Sequence, residues 1–443
     1  MEAHIERPTA RDTLPARSLP PTVRRFLHTE ASGGIALVLA AVVAVVWANS
    51  PWHESYEVLW HEVVTLRVGS FGIEEDLRHF VNDGLMALFF LVVALEIKRE
   101  LVVGDLRDRR VAVLPVVGAV GGMVVPAVLY LVVNAGEPGA AGWGVPLATD
   151  IAFAVGVLAL LGPRAPSALK LFLLSLAIVD DIGAIVVIAV AYTDRIDVVA
   201  LALAAACVGG AALLRWARVW WMPAYAALGV LCWLATYESG VHPTLAGVAF
   251  GLLAPARPRA PTEVAREWAQ DLSDEPSASE LREMTVMAHE TVSVAERLQN
   301  LLHPLTGFVI VPIFALANAG VRVTGDALSA PGATAVAGGV AVGLLVGKTV
   351  GIAGASALAV RLRLARLPDG LSWRQVVGVG AVAGIGFTVS LFITSLAYDA
   401  PELQDAARLA VLATSVVAAV AGSAILATGS GRRDPAGATA AVD

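Results

Sequence analysis

The stretch Leu171-Phe-Leu-Leu-Ser-Leu-Ala-Ile-Val-Asp-Asp-Ile-Gly-Ala-Ile-Val-Val-Ile-Ala-Val-Ala-Tyr192 contains two adjacent carboxyls, Asp180 and Asp181, in the middle of an apolar run. Nine or ten residues, nearly all apolar, flank the pair on each side, which corresponds to about 14 Å of helix. A helix of this length and composition spans a bilayer, so the pair is predicted to lie at the midplane. An ionisable residue there costs about 2.5–3.5 kcal/mol on insertion scales, so the pair indicates a functional site.

The composition of the whole chain places it in the membrane class. The 443 residues are 57% hydrophobic and only 16% charged, and the mean hydropathy is +0.72. Soluble domains carry about 25% charged residues, so a multi-span protein surrounded by the lipid bilayer is predicted instead. The formal net charge of −7 gives no reason to expect a nucleic-acid partner, and no motif indicates a cofactor.

Apolar stretches of spanning length recur along the chain. We predict an all-α polytopic membrane protein, because lipid-facing backbone must satisfy its own hydrogen bonds and the alternating pattern of a β-barrel is absent. The predicted spans, about twelve, are residues 31–49, 79–97, 111–133, 142–162, 168–192, 198–214, 220–236, 241–254, 299–320, 336–360, 376–397 and 406–427. They form a transmembrane domain over residues 31–427, between an N-terminal tail at 1–30 and a C-terminal tail at 428–443.

The basic residues are distributed unequally between the two sides of the predicted membrane domain. In alternate connections, one side holds 25 of the 31 Lys and Arg residues and the opposite side holds five. The positive-inside rule therefore predicts that both tails are cytoplasmic, in the plasma (inner) membrane. The outer loop 50–76 shows alternation at 64–73 that predicts a β-hairpin. The long cytoplasmic loop 255–298 has helical periodicity in its second half, at 280–300.

Two of the predicted spans are interrupted. Glycine and proline precede Thr149-Asp150 in the span 142–162, and four glycines fall within residues 378–386. Matching interruptions in two halves are typical of inverted repeats, in which two discontinuous helices cross at a midplane ion site. Facing half-helices bring like partial charges together. Asp150 and Lys348, the latter inside an apolar span, are predicted to compensate these charges.

The adjacent carboxyls are suited to exchanging protons for a small cation. Burial and mutual repulsion both favour their neutral form, whereas the ionised pair offers hard oxygen ligands to Na⁺. Lys348 is the only basic residue predicted at this depth, so one cation faces at least three acids.

A second group of charges lies near the cytoplasmic end of the second predicted span. The spacing of three to four residues places Glu96, Arg99 and Glu100 on one helix face. A solvated helix end explains this pattern as well as a functional site does.

With these motifs the sequence resembles the NhaA-type Na⁺/H⁺ antiporters over residues 31–427. The shared motifs follow the family's order: Asn82-Asp83-Gly-Leu-Met-Ala-Leu-Phe-Phe, Leu95-Glu-Ile-Lys-Arg-Glu-Leu, Ala148-Thr-Asp-Ile-Ala-Phe-Ala, Ala177-Ile-Val-Asp-Asp-Ile-Gly-Ala-Ile, Ser239-Gly-Val-His-Pro-Thr-Leu-Ala-Gly, Phe314-Ala-Leu-Ala-Asn-Ala-Gly, Gly347-Lys and Gly384-Ile-Gly-Phe-Thr.

The resemblance implies secondary active transport of Na⁺ or Li⁺ against H⁺, without enzymatic activity. It implies that Asp181 and Asp180 bind the transported ion and carry protons. It also implies that Asp150 and Lys348 compensate charge at the helix crossing, with Thr149 beside the site, and that the protein forms a homodimer.

The resemblance further implies a pH response at the cytoplasmic funnel. The residues concerned are Glu96, Arg99, Glu100, Gln299 and His303. Gln299 stands where the familiar family member has a glutamate, and the loop before it is longer here, so the pH set-point is left open.

Two other functions remain open from the residues. An intramembrane aspartyl protease also uses two membrane carboxyls, but on separate helices that share a proton, and Asp180 and Asp181 are consecutive on one helix. A sodium-coupled symporter of the same fold requires an organic-substrate site, for which the sequence shows no marker.

Overall fold

The computed structural model of the protein describes residues 31–68, 71–193, 196–219, 221–258, 277, 290–324 and 328–428. The N-terminal tail, the C-terminal tail beyond residue 428 and most of the loop 255–298 lie outside these ranges.

Helices make up most of the described chain, which confirms the predicted all-α class. They are α1 (Ala31–Ala48), α2 (His53–Trp60), α3 (Leu77–Val102), α4 (Arg109–Val133), α5 (Ile151–Leu160), α6 (Ser167–Ala191), α7 (Val198–Trp216), α8 (Met222–Glu238), α9 (Thr244–Leu253), α10 (Val294–Asn318), α11 (Ala333–Arg361), α12 (Trp373–Val382), α13 (Phe387–Ala397) and α14 (Pro401–Ala427). Three helices contain a π-helical turn: Val81–Leu85 in α3, Thr306–Ile310 in α10 and Gly343–Gly347 in α11. A 3₁₀ segment, Pro138–Leu147, precedes α5.

Each predicted span coincides with a helix or with a broken pair of helical segments, but not every helix has spanning length. Among the described residues, seven helices are long and apolar enough to cross a membrane, and three bent pairs raise the number to ten. The bends are 115° between α1 and α2, 48° between the 3₁₀ segment and α5, and 48° between α12 and α13. The predicted spans 220–236 and 241–254 correspond to α8, of 17 residues, and α9, of 10 residues. Ten residues extend only about 15 Å, so α9 reaches across half a bilayer.

The predicted hairpin is present. Strands β1 (Val63–Val68) and β2 (Phe71–Asp76) are antiparallel and lead directly into α3.

Burial alone raises the pKa of Asp76, but the backbone N–H and ring of His79 hold that pKa below its usual value. We call the side of the molecule that carries this sheet the hairpin face, and the opposite side, where α3 ends at Val102, the basic face.

Glycines let two long helices approach closely and so position the buried lysine. A Cβ atom at Gly121 on α4 would lie 2.3 Å from the carbonyl oxygen of Gly351 on α11, and one at Gly351 would lie 2.2 Å from the carbonyl oxygen of Gly121. Small residues of this kind allow helix backbones to pack in membranes. The neighbouring Gly122 leaves room for Ile352 of α11, whose Cγ1 would lie 2.7 Å from a Cβ atom at Gly122. Lys348 lies one turn earlier on α11 and is fully buried in the helix bundle.

Candidate functional site at the helix crossing

Both predicted interruptions are breaks, and the two broken helices are bonded to each other where they cross. The backbone is extended at Ala148 and Asp150, between the 3₁₀ segment and α5. The Asp150 N–H donates to the carbonyl oxygen of Ile385, between α12 and α13, over 2.7 Å. On the hairpin-face side, the Ser390 hydroxyl donates to the carbonyl oxygen of Val145 over 2.7 Å. Unwound backbone at this depth is tolerated because each break supplies partners for the other.

Asp150 caps two helices with one carboxylate. Its Oδ1 accepts the backbone N–H of Phe153 at 3.0 Å in the first turn of α5. Its Oδ2 accepts the backbone N–H of Thr388 at 3.1 Å, together with the Thr388 hydroxyl, in the first turn of α13. Since the N-terminus of each helix carries a partial positive charge, a buried carboxylate between the two is stabilised by both.

Thr388 is a site residue that the sequence reasoning missed. It lies just beyond the glycines that marked the second break, within the motif Gly384-Ile-Gly-Phe-Thr. A hydroxyl residue in the first turn after a predicted break was the available signal. The Thr388 hydroxyl bonds to Asp150, the residue that precedes α5, and not to the backbone of its own helix.

Lys348 and Asp180 form a buried ion pair. The side chains are inaccessible to solvent, and Nζ of Lys348 contacts Oδ2 of Asp180. The π-helical turn Gly343–Gly347 immediately precedes the lysine, and turns of this kind often occur at functional sites. Removing one member of such a pair leaves an uncompensated buried charge, at a cost of about 3–5 kcal/mol.

The hydroxyl of Thr149 connects this ion pair to the second broken helix. Its Oγ1 lies 2.7 Å from Oδ2 of Asp180 and 2.9 Å from the carbonyl oxygen of Ala383. A hydroxyl has one hydrogen to donate. When Asp180 is ionised, both neighbours accept and compete for that hydrogen; when Asp180 is protonated, it donates to Thr149, which then donates to Ala383. The hydroxyl therefore responds to the protonation of Asp180.

The remaining carboxyl oxygens of the pair lack donors. Asp181 is 6% exposed, and no described residue donates a hydrogen bond to it. Oδ1 of Asp180 is buried and also has no hydrogen-bond partner in the described part of the chain. Among the described residues, the carboxyls of Asp180, Glu96 and Asp150 make the potential at Asp181 more negative, and the ammonium of Lys348 opposes them. This surplus of negative charge favours a proton or a small cation at oxygen ligands.

The structure brings together three of the five residues predicted for the pH response. Oε1 of Glu96, on α3, accepts a hydrogen bond of 3.2 Å from Nε2 of Gln299, on α10. Nδ1 of His303 lies 3.9 Å from the same oxygen. Arg99 is exposed, and Glu100 accepts the backbone N–H of Asp105 at 3.0 Å. These last two residues lie in the last turn of α3, which ends at Val102.

Comparisons with known proteins identify the family to which the sequence is similar. The sequence model of a family described as "Na+/H+ antiporter 1" matches residues 24–426. The chain is 48% identical to the Na(+)/H(+) antiporter NhaA 3 of Frankia alni over 408 residues, which is 92% of this chain and 88% of that protein. It is 48% identical to the Na(+)/H(+) antiporter NhaA of Rhodopirellula baltica over 436 residues, covering 96% and 97% of the two chains. It is 46% identical to the Na(+)/H(+) antiporter NhaA 2 of Sorangium cellulosum over 428 residues, covering 93% and 92%.

The role of Thr388 can be tested by removing its hydroxyl. Thr388→Val keeps the side-chain volume but takes one donor from the buried Asp150 carboxylate. We expect the free energy of unfolding to fall by about 1–3 kcal/mol, measured as a lower thermal midpoint of the purified protein. Thr394→Val is the matched control, since Thr394 is fully buried on the same helix and donates to the Ser390 carbonyl of that helix. Equal losses in both variants would contradict the capping role.

Proposed function

Since the chain belongs to the Na⁺/H⁺ antiporter 1 family, we propose that Asp180 and Asp181 carry out its exchange of sodium for protons. The protein is a Na⁺/H⁺ antiporter, a multi-pass membrane transporter and not an enzyme. The observation that carries the site assignment is the asymmetry of the pair: Asp180 is bonded to Lys348, whereas Asp181 receives no hydrogen bond from the described residues.

The two other functions left open by the residues are not supported. The family assignment covers the chain over residues 24–426, and its members carry the name of antiporters. The carboxyl of Asp180 is also neutralised by an ammonium group, whereas a protease pair requires two carboxyls that share one proton and activate water.

Sodium entry at this site competes with the lysine. An ionised Asp181 and the unbonded Oδ1 of Asp180 offer oxygen ligands to Na⁺. A sodium ion there reduces the negative potential that holds the ammonium of Lys348, so the cation weakens the ion pair that it approaches. Conversely, protonation of the carboxyls removes the ligands and releases the sodium. Sodium and protons therefore bind to the same oxygens and exclude each other, which is the requirement for exchange.

Charge counting makes the exchange electrogenic. In the ion pair Asp180 is already ionised, so the count starts from the proton-loaded state, in which both carboxyls are protonated and Asp180 is no longer paired with Lys348. Both carboxyls release their protons before one sodium binds, and both take up protons again when the sodium leaves. Each cycle then moves two protons in one direction and one sodium in the other. The net movement of one positive charge makes the exchange sensitive to membrane potential, by about 2.3 kcal/mol per 100 mV.

The surroundings of the transporter follow from charge distribution and ion chemistry. We place the protein in the plasma membrane with both tails cytoplasmic, because 25 of its 31 basic residues lie on one side. Li⁺ is a further substrate, since it is a small monovalent cation that prefers the same hard oxygen ligands. From the family resemblance we further propose that the protein forms a homodimer in the membrane. Protease accessibility of the tails in oriented vesicles, exchange assays with LiCl and native mass measurement test these three statements respectively.

The assignment of Asp181 is tested by Asp181→Asn. The amide still offers an oxygen to sodium but cannot release a proton, so sodium-driven proton movement in proteoliposomes should be lost. Asp180→Asn should be severely impaired as well, because Lys348 then lacks its partner. Asp197→Asn is the control: Asp197 caps α7 at the hairpin face, and asparagine caps equally well. Normal exchange by the Asp181→Asn protein would refute the assignment.

The role of Lys348 is tested by comparing arginine and glutamine at this position. Arginine keeps the charge but cannot deprotonate, so Lys348→Arg should retain exchange that responds to an imposed membrane potential. Lys348→Gln leaves the Asp180 carboxylate without its cation, and we expect it to lower both exchange and folded yield. Loss of exchange or of its voltage dependence in a well-folded Lys348→Arg protein would show that the lysine itself carries a proton.

We assign the pH response to the contact of Glu96 with Gln299 and His303, which Gln299→Glu tests. A second carboxyl beside Glu96 disfavours simultaneous ionisation of the two. The pH at which exchange is half-maximal should therefore rise in this variant. Gln375→Glu is the control, because Gln375 belongs to a capping box at the start of α12, where glutamate is equally suitable. An unchanged pH profile in Gln299→Glu would remove this contact from the pH response.

A further inference from the structure

The half of the first broken helix that points to the hairpin face needs support from other elements. It is the 3₁₀ segment Pro138–Leu147, ten residues long, whereas 3₁₀ runs beyond three or four residues are uncommon. Backbone groups at membrane depth that are not in a regular helix must find partners within the protein. Three tyrosine hydroxyls from three other parts of the chain supply such partners.

Two of these tyrosines hold the beginning of the segment. The hydroxyl of Tyr130, on α4, donates to the carbonyl oxygen of Gly139 over 2.8 Å. The hydroxyl of Tyr398, directly after α13, contacts that of Tyr130 and lies 3.4 Å from the same carbonyl oxygen. Both hydroxyls pack against Gly142, where a Cβ atom would collide with them. The beginning of the segment is therefore fixed to α4 and to the end of α13.

The third tyrosine ties the segment to the helix that carries the midplane carboxyls. Tyr192 follows the last residue of α6, and its hydroxyl accepts the backbone N–H of Gly144 at 3.1 Å and donates to the carbonyl oxygen of Ala141 over 3.0 Å. Asp180 lies twelve residues earlier on the same helix, a distance of about 18 Å along its axis.

The first broken helix and α6 are thus joined at two heights. At the hairpin face the link is Tyr192 with the backbone of Ala141 and Gly144. At the midplane the link is the hydroxyl of Thr149, 2.7 Å from Asp180. Only four residues separate Gly144 from Thr149, so displacement of the segment at the first link is transmitted to the second.

We infer that Tyr192 is a positioning residue for the ion site, which holds the 3₁₀ segment against α6 so that Thr149 keeps its place beside Asp180. The inference rests on the proposed function of the two carboxyls. Tyr192 does not touch the ion. It acts through the segment, and its loss therefore changes how well the site is arranged for sodium while the carboxyls that exchange protons stay intact.

The test is Tyr192→Phe, which removes the hydroxyl and keeps the ring. In proteoliposomes at fixed pH we expect the apparent KM for sodium to rise about three- to tenfold, because only part of the free energy of the two lost hydrogen bonds is transmitted to the sodium site. The maximal rate should stay within about twofold. Tyr225→Phe is the control, because Tyr225 lies on α8 and donates to the Val219 carbonyl, away from the crossing. A role confined to stability would lower the thermal midpoint and leave KM unchanged, and that result would overturn the inference.

A second variant reaches the same contact from the other side. A Cβ atom at Gly144 would lie 2.5 Å from the hydroxyl oxygen of Tyr192, so Gly144→Ala displaces this hydroxyl without deleting it. We expect a rise in KM in the native background and a smaller further rise in the Tyr192→Phe background, since the two changes break one contact. Increases that simply multiply would contradict the coupling. If Tyr192→Phe is not recovered folded, an unchanged KM in Gly144→Ala overturns the inference alone.

These outcomes are distinct from failure of the proposed function. Absence of sodium-driven proton movement by the native protein would reject the assignment of the carboxyls. Normal exchange by the native protein, with an unaltered sodium KM in both variants, would reject the role of Tyr192 alone.

Discussion

The buried ion pair of Lys348 with Asp180 is the interaction on which the rest of the centre depends. Each charge alone is expensive inside a bilayer, and together they are tolerable because the geometry is close and Thr149 adds a hydrogen bond. Lys348 reaches Asp180 of α6 from α11, which packs closely against α4 through Gly121 and Gly351. The packing of α11, the break that contains Thr149 and the ion chemistry of Asp180 are therefore connected at the contact of Lys348 with Asp180.

The helix breaks are the second half of the same electrostatic arrangement. An unbroken pair of helices would offer no free N–H groups at the midplane, whereas the two breaks direct the N-termini of α5 and α13 at a single carboxylate, Asp150. Helix dipoles and side-chain charges therefore neutralise one another in two neighbouring sets. One set, Asp150 with the two helix N-termini, holds the crossing together. The other contains Asp181, which receives no hydrogen bond from the described chain and remains available to a cation.

The sequence was informative where a residue violates the rules of its surroundings. Charges at Asp180, Asp181 and Lys348 and glycines in apolar spans stand out because membranes make them costly. Thr388 and Tyr192 did not stand out, because a hydroxyl in a helical turn is common and its partner lies on an element distant in sequence. The predicted span 241–254 is longer than α9 mainly at its start. The helix begins only at Thr244, after His242 and Pro243, although the predicted span began at residue 241. The hydrophobic pattern therefore predicted the helices, whereas hydrogen bonds between segments distant in sequence could be found only in the structure.

The unequal treatment of two adjacent carboxyls is what makes exchange possible. If both were paired with fixed cations, sodium would have to displace two strong interactions and would not bind. If neither were paired, the unneutralised charge at the midplane would favour permanent protonation. With Asp180 held by Lys348 and Asp181 without a donor, sodium competes with one internal cation for one carboxyl and finds the other open. The hydroxyl of Thr149 has one hydrogen for two acceptors, Asp180 and the carbonyl oxygen of Ala383. Whether it bonds to Ala383, and so connects the two broken helices, therefore depends on which cation Asp180 holds.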